Sequence, residues 1–249
     1  MLPTPDTSHV SYERVYEPAE DSFLLLDTLS SSSETAFLQH RFAAPSPCPL
    51  VVEIGPGSGV VIGFVDAQAG ALFGRADILT LAVDVSAHAC AATNETVRRA
   101  SGQNQNRGSY LGAAQGDLGS PLAGGAADVL VFNPPYVPTA ELPAWTAEAM
   151  PRLGAPTSFD DDSRLLALTY AGGRDGMETT ERLLGALPRL LSPRGCAYVL
   201  LCAQNRPEEV KGRVLSGLGG GWRVETVGSS GKKAGWERLQ IVRIWREED

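Results

Sequence analysis

The chain has 249 residues, 43% of them hydrophobic, and a formal net charge of −8 with a pI near 5.0. That is enough apolar material for one large core or two small ones, and the acidic balance gives no general pull toward a phosphate backbone, so direct nucleic-acid binding is not expected. The four cysteines (Cys48, Cys90, Cys196 and Cys202) show no CxxC spacing and have only three histidines for company, which argues against a zinc site and for free thiols in a reducing, cytoplasmic setting.

Residues 1–15 read as a loose segment without the basic and apolar regions of a signal peptide. Pro18 to Leu29 reads as a helix, with Pro18 near its first turn, Glu20 and Asp21 at its positive end and an apolar run from Phe23 to Leu26. A serine run (Ser30 to Ser33) and a proline-rich approach (Pro45 to Pro49) follow. Leu50 to Ile54 is a strand, then a glycine turn, then a helix from about Val60. Ile78 to Val83 is a second strand, ended by Asp84. Ala87 to Ala100 fits a helix and Ser101 to Gly108 a polar loop. Tyr110 to Gln115 and Asp128 to Phe132 are the third and fourth strands.

Residues 138–170 are the least readable and are taken as a lid or insertion above a site. Gly172 to Gly176 reads as a turn into a helix over Thr179 to Leu191. Cys196 to Ala203 is a fifth strand, and Pro207 to Leu218 is another helix. Val224 to Val227 and Leu239 to Trp245 form a terminal strand pair joined through Gly231 to Gly235, with Lys232-Lys233 as a solvated tip. Trp222, Trp236 and Trp245 are expected to pack. Strand–helix alternation predicts a mostly parallel sheet covered on both faces, in one domain with an antiparallel edge. No apolar run approaches the ~20 residues that span a bilayer, so no membrane is expected.

Four features converge at strand ends. Asn133-Pro134-Pro135-Tyr136 follows the fourth strand. Two prolines cannot continue a ladder or start a helix interior, so the chain turns there. Proline offers a carbonyl and no N–H, so the turn presents acceptors: the Asn133 side-chain oxygen and backbone carbonyls, beside the face of Tyr136. That set suits a planar group carrying an NH2. Glu53-Ile54-Gly55-Pro56-Gly57-Ser58-Gly59 sits between the first strand and its helix, where glycines allow close ligand approach. Taken alone it could equally be a tight structural turn. Asp84, with Val85 beside it, is placed to accept ribose hydroxyls, or else is a turn aspartate before Ser86. Asp117 is placed to hold an adenine amine with Leu118 on the ring, or else is a loop residue.

The glycine loop, Asp84 and Asp117 together fit an adenosine ligand without requiring a phosphate, and adding the Asn-Pro-Pro-Tyr turn makes S-adenosylmethionine the best candidate. An amide or aryl amine is a poor nucleophile because its lone pair is delocalised. Asn133 Oδ1 and the Pro134 carbonyl would accept its N–H groups while Tyr136 stacks on the plane, so the catalysis is mostly positioning. No metal or nucleophilic residue is required.

Asn133 to Tyr136, Glu53 to Val61 and Tyr16-Glu17-Pro18-Ala19-Glu20-Asp21-Ser22-Phe23-Leu24-Leu25-Leu26-Asp27 resemble the HemK-type glutamine methyltransferases, in the short eukaryotic and archaeal branch. Val131-Phe132, Ala171 to Gly176 and Leu191 to Gly195 resemble it too, and the similarity covers about residues 15–245. With the first motif at Tyr16, no room is expected for the N-terminal helical domain of the bacterial branch. The Asn-Pro-Pro-Tyr turn is shared with DNA adenine methyltransferases; the Tyr-Glu-Pro-Ala-Glu-Asp segment makes the resemblance specific.

The resemblance implies a class I, Rossmann-like methyltransferase fold, α/β, with a mostly parallel seven-stranded sheet whose last strand is antiparallel. It implies N5-methylation of the glutamine in the Gly-Gly-Gln loop of a class I translation release factor. It places Ser22, Glu53, Gly55, Asp84, Asp117 and Leu118 at the cofactor and Asn133 at the substrate amide; Tyr16, Gly57, Val85 and Asn133 are further expected at the cofactor, and Pro134, Pro135 and Tyr136 with Asn133 at the substrate. It also implies a small zinc-binding activator subunit adding its strand at the sheet edge, Tyr110 to Ala114 here, and a cytoplasmic, also nuclear, location. The loop from Ser101 to Gly108 and the stretch from Pro138 to Tyr170 are longer than the family leads one to expect. Other readings are a DNA adenine or protein lysine as acceptor, and a non-catalytic scaffold that uses its edge strand.

Overall fold

The computed structural model describes residues 2–102, 104–143, 158–231 and 238–247. The expectations for the Lys232-Lys233 tip, for Trp236 and for the middle of the 138–170 stretch therefore lie outside the described residues. Helix α1 (Glu20–Leu29) and helix α2 (Ser32–Arg41) precede strand β1 (Leu50–Ile54). Helices α3 (Val60–Ala67) and α4 (Ala69–Phe73), strand β2 (Leu79–Asp84), helix α5 (Ala87–Ser101) and strands β3 (Ser109–Gln115) and β4 (Ala127–Phe132) follow. After them come α6 (Phe159–Tyr170), α7 (Glu178–Leu190), β5 (Leu191–Cys202), α8 (Pro207–Leu218), β6 (Trp222–Ser229) and β7 (Leu239–Arg246).

The seven strands form one sheet in the order β3-β2-β1-β4-β5-β7-β6. Strands β1 to β5 are parallel to their neighbours, and β7 runs antiparallel to both β5 and β6. The expected antiparallel last strand is there, but it is not at the edge: β7 slots between β5 and β6, so the edges are β3 and β6. The reason is apolar content. Leu239, Ile241, Val242 and Ile244 are buried, whereas β6 is largely exposed beyond Trp222.

The core lies on both faces of the sheet, and strand alternation assigns each residue to its face. Val51, Val129, Val131 and Tyr198 pack with α1 to α4. Val52, Leu130, Phe132 and Val199 pack with α7 and α8. Strand β4 is buried along its whole length, as an interior parallel strand must be when helices cover both sides. Each large aliphatic side chain buried this way contributes roughly 1.5–3 kcal/mol.

Three helices are absent from the sequence-based expectation. Helix α2 fills what reads as a serine run and beyond: Ser31 accepts from the Glu34 amide at 3.3 Å as its N-cap. Glu34 is drawn into the core, where it accepts from Tyr198 Oη at 2.8 Å and Arg243 Nη1 at 2.7 Å. Helix α4 is a short turn of helix closed by Gly74. Helix α6 starts with a capping box between Ser158 and Asp161.

Candidate active site

A cavity of about 360 Å³ opens at the carboxyl ends of β1, β2 and β4, within the size range of ligand sites and at the position where open α/β sheets bind ligands. Its floor is the glycine turn. Gly59 takes φ +80° as the N-cap of α3, and a Cβ there would lie 2.6 Å from Thr93 Cα; only glycine lets α3 and α5 approach this closely. Because Gly59 has no side chain to cap the helix, Glu53 supplies the acceptor, taking the Ile62 amide at 2.7 Å. Glu53 is buried, and burial pushes its carboxyl up to about 8, opposed by the Ile62 hydrogen bond.

Asp84 ends β2 and faces the turn. It accepts from the Gly57 amide at 3.3 Å and the Ser86 amide at 2.8 Å, while Ser86 caps α5. The two readings of Asp84 thus coexist: it ties the start of α5 and still lines the cavity with Val85. Burial raises its carboxyl to about 6, with the amides pulling the other way. Asp117 and Leu118 line the same cavity, and Asp117 forms an ion pair with Arg182 of α7. Leu118 has φ +49°, a left-handed conformation that costs a non-glycine residue about 1–3 kcal/mol and collects at ligand sites.

The opposite wall comes from the start of α1 and the turn after β4. Tyr16, Asp21 and Ser22 line it. Tyr16 Oη donates to Asp21 Oδ2 at 2.9 Å, and Ser22 donates to Asp21 Oδ1 through its amide and its hydroxyl. Asn133, Pro134 and Pro135 line the cavity, and Asn133 Oδ1 is buried with no hydrogen-bond partner among the described residues. Tyr136, expected to stack on the substrate group, is not on the cavity wall. Its hydroxyl reaches back to Asp21 Oδ2 at 3.4 Å, and its carbonyl accepts from Asn205 Nδ2 at 3.1 Å.

The stretch after the turn supplies the roof. Val137 and Ala171 pair as a parallel bridge, so the stretch between them leaves and returns at one place. Leu142, Leu165, Leu168 and Thr169 from its two flanks face the cavity, where a lid is expected. Arg14 of the N-terminal segment pairs with Asp162 of α6 at 2.8 Å, tying residues expected to be loose to this roof. Gly172 and Gly176 buttress the Asn133–Tyr136 turn from behind: a Cβ at either would strike the Pro135 or Tyr136 carbonyl.

Sequence reasoning missed Asp21, Asn205, Arg14 and Arg182 as site residues. Asp21 lies within the Tyr16–Asp27 motif that sequence reasoning did single out, whereas Arg14, Asn205 and Arg182 had only their charge or polarity as a signal, because their partners Asp162, Tyr136 and Asp117 are distant in sequence.

Comparison with known proteins finds close relatives along the whole chain. Methyltransferase HEMK2 of Mus musculus is 34% identical over 247 residues, covering 98% of this chain and 96% of that protein. The eRF1 methyltransferase catalytic subunit mtq2 of Schizosaccharomyces pombe is 32% identical over 258 residues, covering 99% and 96%. Methyltransferase HEMK2 of Homo sapiens is 32% identical over 246 residues, covering 97% and 95%. No family model matches the chain.

Proposed function

The chain belongs to the HEMK2/mtq2 family of methyltransferases, and on that footing we propose that it methylates the N5 amide nitrogen of a glutamine in a translation release factor, with S-adenosylmethionine as donor. The observation that carries this is Asn133 Oδ1: a buried acceptor with no partner among the described residues, on the wall of a cavity large enough for a nucleoside. An unsatisfied buried acceptor costs about 1–3 kcal/mol, and a substrate NH2 removes that cost.

The donor group suits the residues present. Asp84 can accept ribose hydroxyls and Asp117 an exocyclic amine, with Leu118 against the ring. The cavity carries more carboxyl than guanidinium groups, which suits a cationic ligand. When bound, S-adenosylmethionine supplies an electrophilic methyl and a neutral thioether leaving group.

The chain's own contribution is placement. Asn133 accepts one amide N–H, which turns what remains of the nitrogen lone pair toward the methyl and holds the amide plane against the proline turn. The apolar roof residues Leu142, Leu165 and Leu168 exclude water from the reacting pair. The proton lost from nitrogen after transfer needs no strong base, because an N-protonated amide is very acidic.

Strand β3 forms a sheet edge, and its Leu111 is 57% exposed. An open apolar edge suits strand addition by a partner, and we assign it to a small zinc-binding activator subunit in a cytoplasmic heterodimer. The test is mass spectrometry of acceptors after incubation with methyl-labelled donor and any co-purifying small subunit. Label on the glutamine of a Gly-Gly-Gln release-factor loop is expected. Label only on an adenine oligonucleotide or on lysine would replace this reading, and absence of donor binding in the partner's presence would revive a scaffold role.

A further inference from the structure

Four carboxyl groups of the described residues line the cavity, those of Asp21, Glu53, Asp84 and Asp117, against two guanidinium groups, those of Arg14 and Arg182. Both arginines are already paired, with Asp162 and Asp117 respectively. Asp21, Glu53 and Asp84 have no cationic partner among the described residues. Glu53 is turned onto the Ile62 amide, and Asp84 onto the Gly57 and Ser86 amides. These two serve the adenosine side and the glycine turn.

Asp21 is placed differently. It is 3% exposed, and its carboxylate joins the start of α1 to the turn after β4, the two segments that together form one wall of the cavity. Oδ2 accepts from Tyr16 at 2.9 Å and from Tyr136 at 3.4 Å; Oδ1 accepts from the Ser22 amide at 2.6 Å. Tyr16 in turn lies against Gly57 of the glycine turn, and Tyr136 is three residues after Asn133. The carboxylate therefore sits at the end of the cavity where acceptor and donor must meet. Hydrogen bonds spread its charge, but none cancels it. A charge buried in this way calls for an opposite charge, and the described residues do not supply one.

We propose that Asp21 is the counter-charge for the sulfonium of the bound donor, and so the residue by which the site prefers the charged donor over its neutral thioether product. The proposal rests on the function proposed above. Methyl transfer breaks the S–CH3 bond, leaves its electron pair on sulfur, forms the N–CH3 bond and releases a proton from nitrogen. The positive charge at sulfur is gone once transfer is complete. A fixed carboxylate facing it attracts the donor and loses that attraction for the product, which favours product release.

The test is calorimetric binding of S-adenosylmethionine and S-adenosylhomocysteine to the full chain, as wild type, Asp21→Asn and Asp21→Glu. The two ligands share the adenosine and the amino-acid end and differ in charge at sulfur, so their ratio isolates the sulfonium. Wild type should bind the donor more tightly. Asp21→Asn should weaken the donor by at least about tenfold, the scale of one charge pair at a partly buried site, and change the product by less than about twofold. Asp21→Glu, which keeps the charge, should recover most of the preference. Equal loss of both ligands in Asp21→Asn, or no loss of either, would overturn the counter-charge role. Should Asp21→Asn not fold, wild type alone decides: equal affinity for the two ligands refutes the proposal. Wild type binding neither, also with the co-purifying small subunit present, would sink the proposed function as well, whereas binding both with an unchanged ratio in the variant sinks only the role of Asp21.

Discussion

Replacing Glu53 by glutamine should stabilise the ligand-free chain, and by an amount that grows with pH. Glu53 is 2% exposed. Burial moves its carboxyl from the ordinary 4.5 to about 8, with the Ile62 amide opposing and the charge of Asp84 adding to the rise. The folded chain therefore keeps this proton until about pH 8, while the unfolded chain gives it up above about 4.5. A raised folded-state value means that the group's stabilisation is fully present below 4.5 and is lost as pH rises through about 8. Each pH unit in that window removes about 1.4 kcal/mol, so the loss between pH 5 and pH 7.5 is about 3 kcal/mol for this group alone. Glutamine keeps the shape and the acceptor for the Ile62 amide but does not titrate. Urea unfolding of both chains at several pH values, extrapolated linearly, should show the variant gaining on the wild type by about 3 kcal/mol across that range. Asp84 titrates in both chains and largely cancels from the difference. Parallel stability curves, agreeing within about 1 kcal/mol, would refute the placement of a neutral acid beneath the glycine turn.

Asn133→Ala should lower methyl transfer by at least about a hundredfold, since it removes an orienting contact, while donor affinity by calorimetry persists; equal loss of both would contradict the assignment of Asn133 to the acceptor. Asp84→Asn should weaken donor binding by about tenfold, the worth of a charged hydrogen bond. In the wild type the same affinity should fall as pH drops below about 6, because a protonated Asp84 loses its charge and one of the two acceptor oxygens it offers a ribose. A flat affinity profile from pH 7.5 to 5 would tell against it. Gly59→Ala combines φ +80° with a Cβ 2.6 Å from Thr93 Cα and should cost about 2–4 kcal/mol. Thermal unfolding checks this, and an unchanged midpoint would mean that α3 and α5 separate without penalty.

Sequence alone conveyed the strands before it conveyed their arrangement. The runs that became β1, β2 and β4 are apolar and end at Gly55, at Asp84 and at Asn133-Pro134, so local chemistry marks both their nature and their limits. The position of β7 between β5 and β6 depends on pairing across the whole sheet, which no local pattern encodes. Helix α2 went unread because serines open it and only Glu34 and Leu38 of its residues are buried. Yet Ser31-x-x-Glu34 is a recognisable start signal, and Ser158-x-x-Asp161 is another at α6. That Asn133, Glu53 and Asp84 come together on one cavity was readable because motif spacing and strand ends position them. Tyr136 was placed in the wrong company: aromatic character said that it could stack on a substrate, but not that its hydroxyl would be taken by Asp21, more than a hundred residues earlier.

The same contact shows how the acceptor turn is made stiff. A double-proline turn has few amide donors with which to tie itself down, so its carbonyls must be held from outside. Asn205 does so: its Nδ2 donates to the Tyr136 carbonyl at 3.1 Å and to the Asp175 carbonyl at 3.0 Å, while its Oδ1 accepts the Cys202 amide at the end of β5. Gly172 and Gly176 allow their backbone to lie directly against the Pro135 and Tyr136 carbonyls, and Asp21 takes the Tyr136 hydroxyl from the other side. The turn is therefore fixed to β5, to the loop before α7 and to α1. What remains unheld at its tip is Asn133 Oδ1. For a reaction whose difficulty is aiming a weak nucleophile, a rigid turn with one acceptor left over is the arrangement that positioning demands.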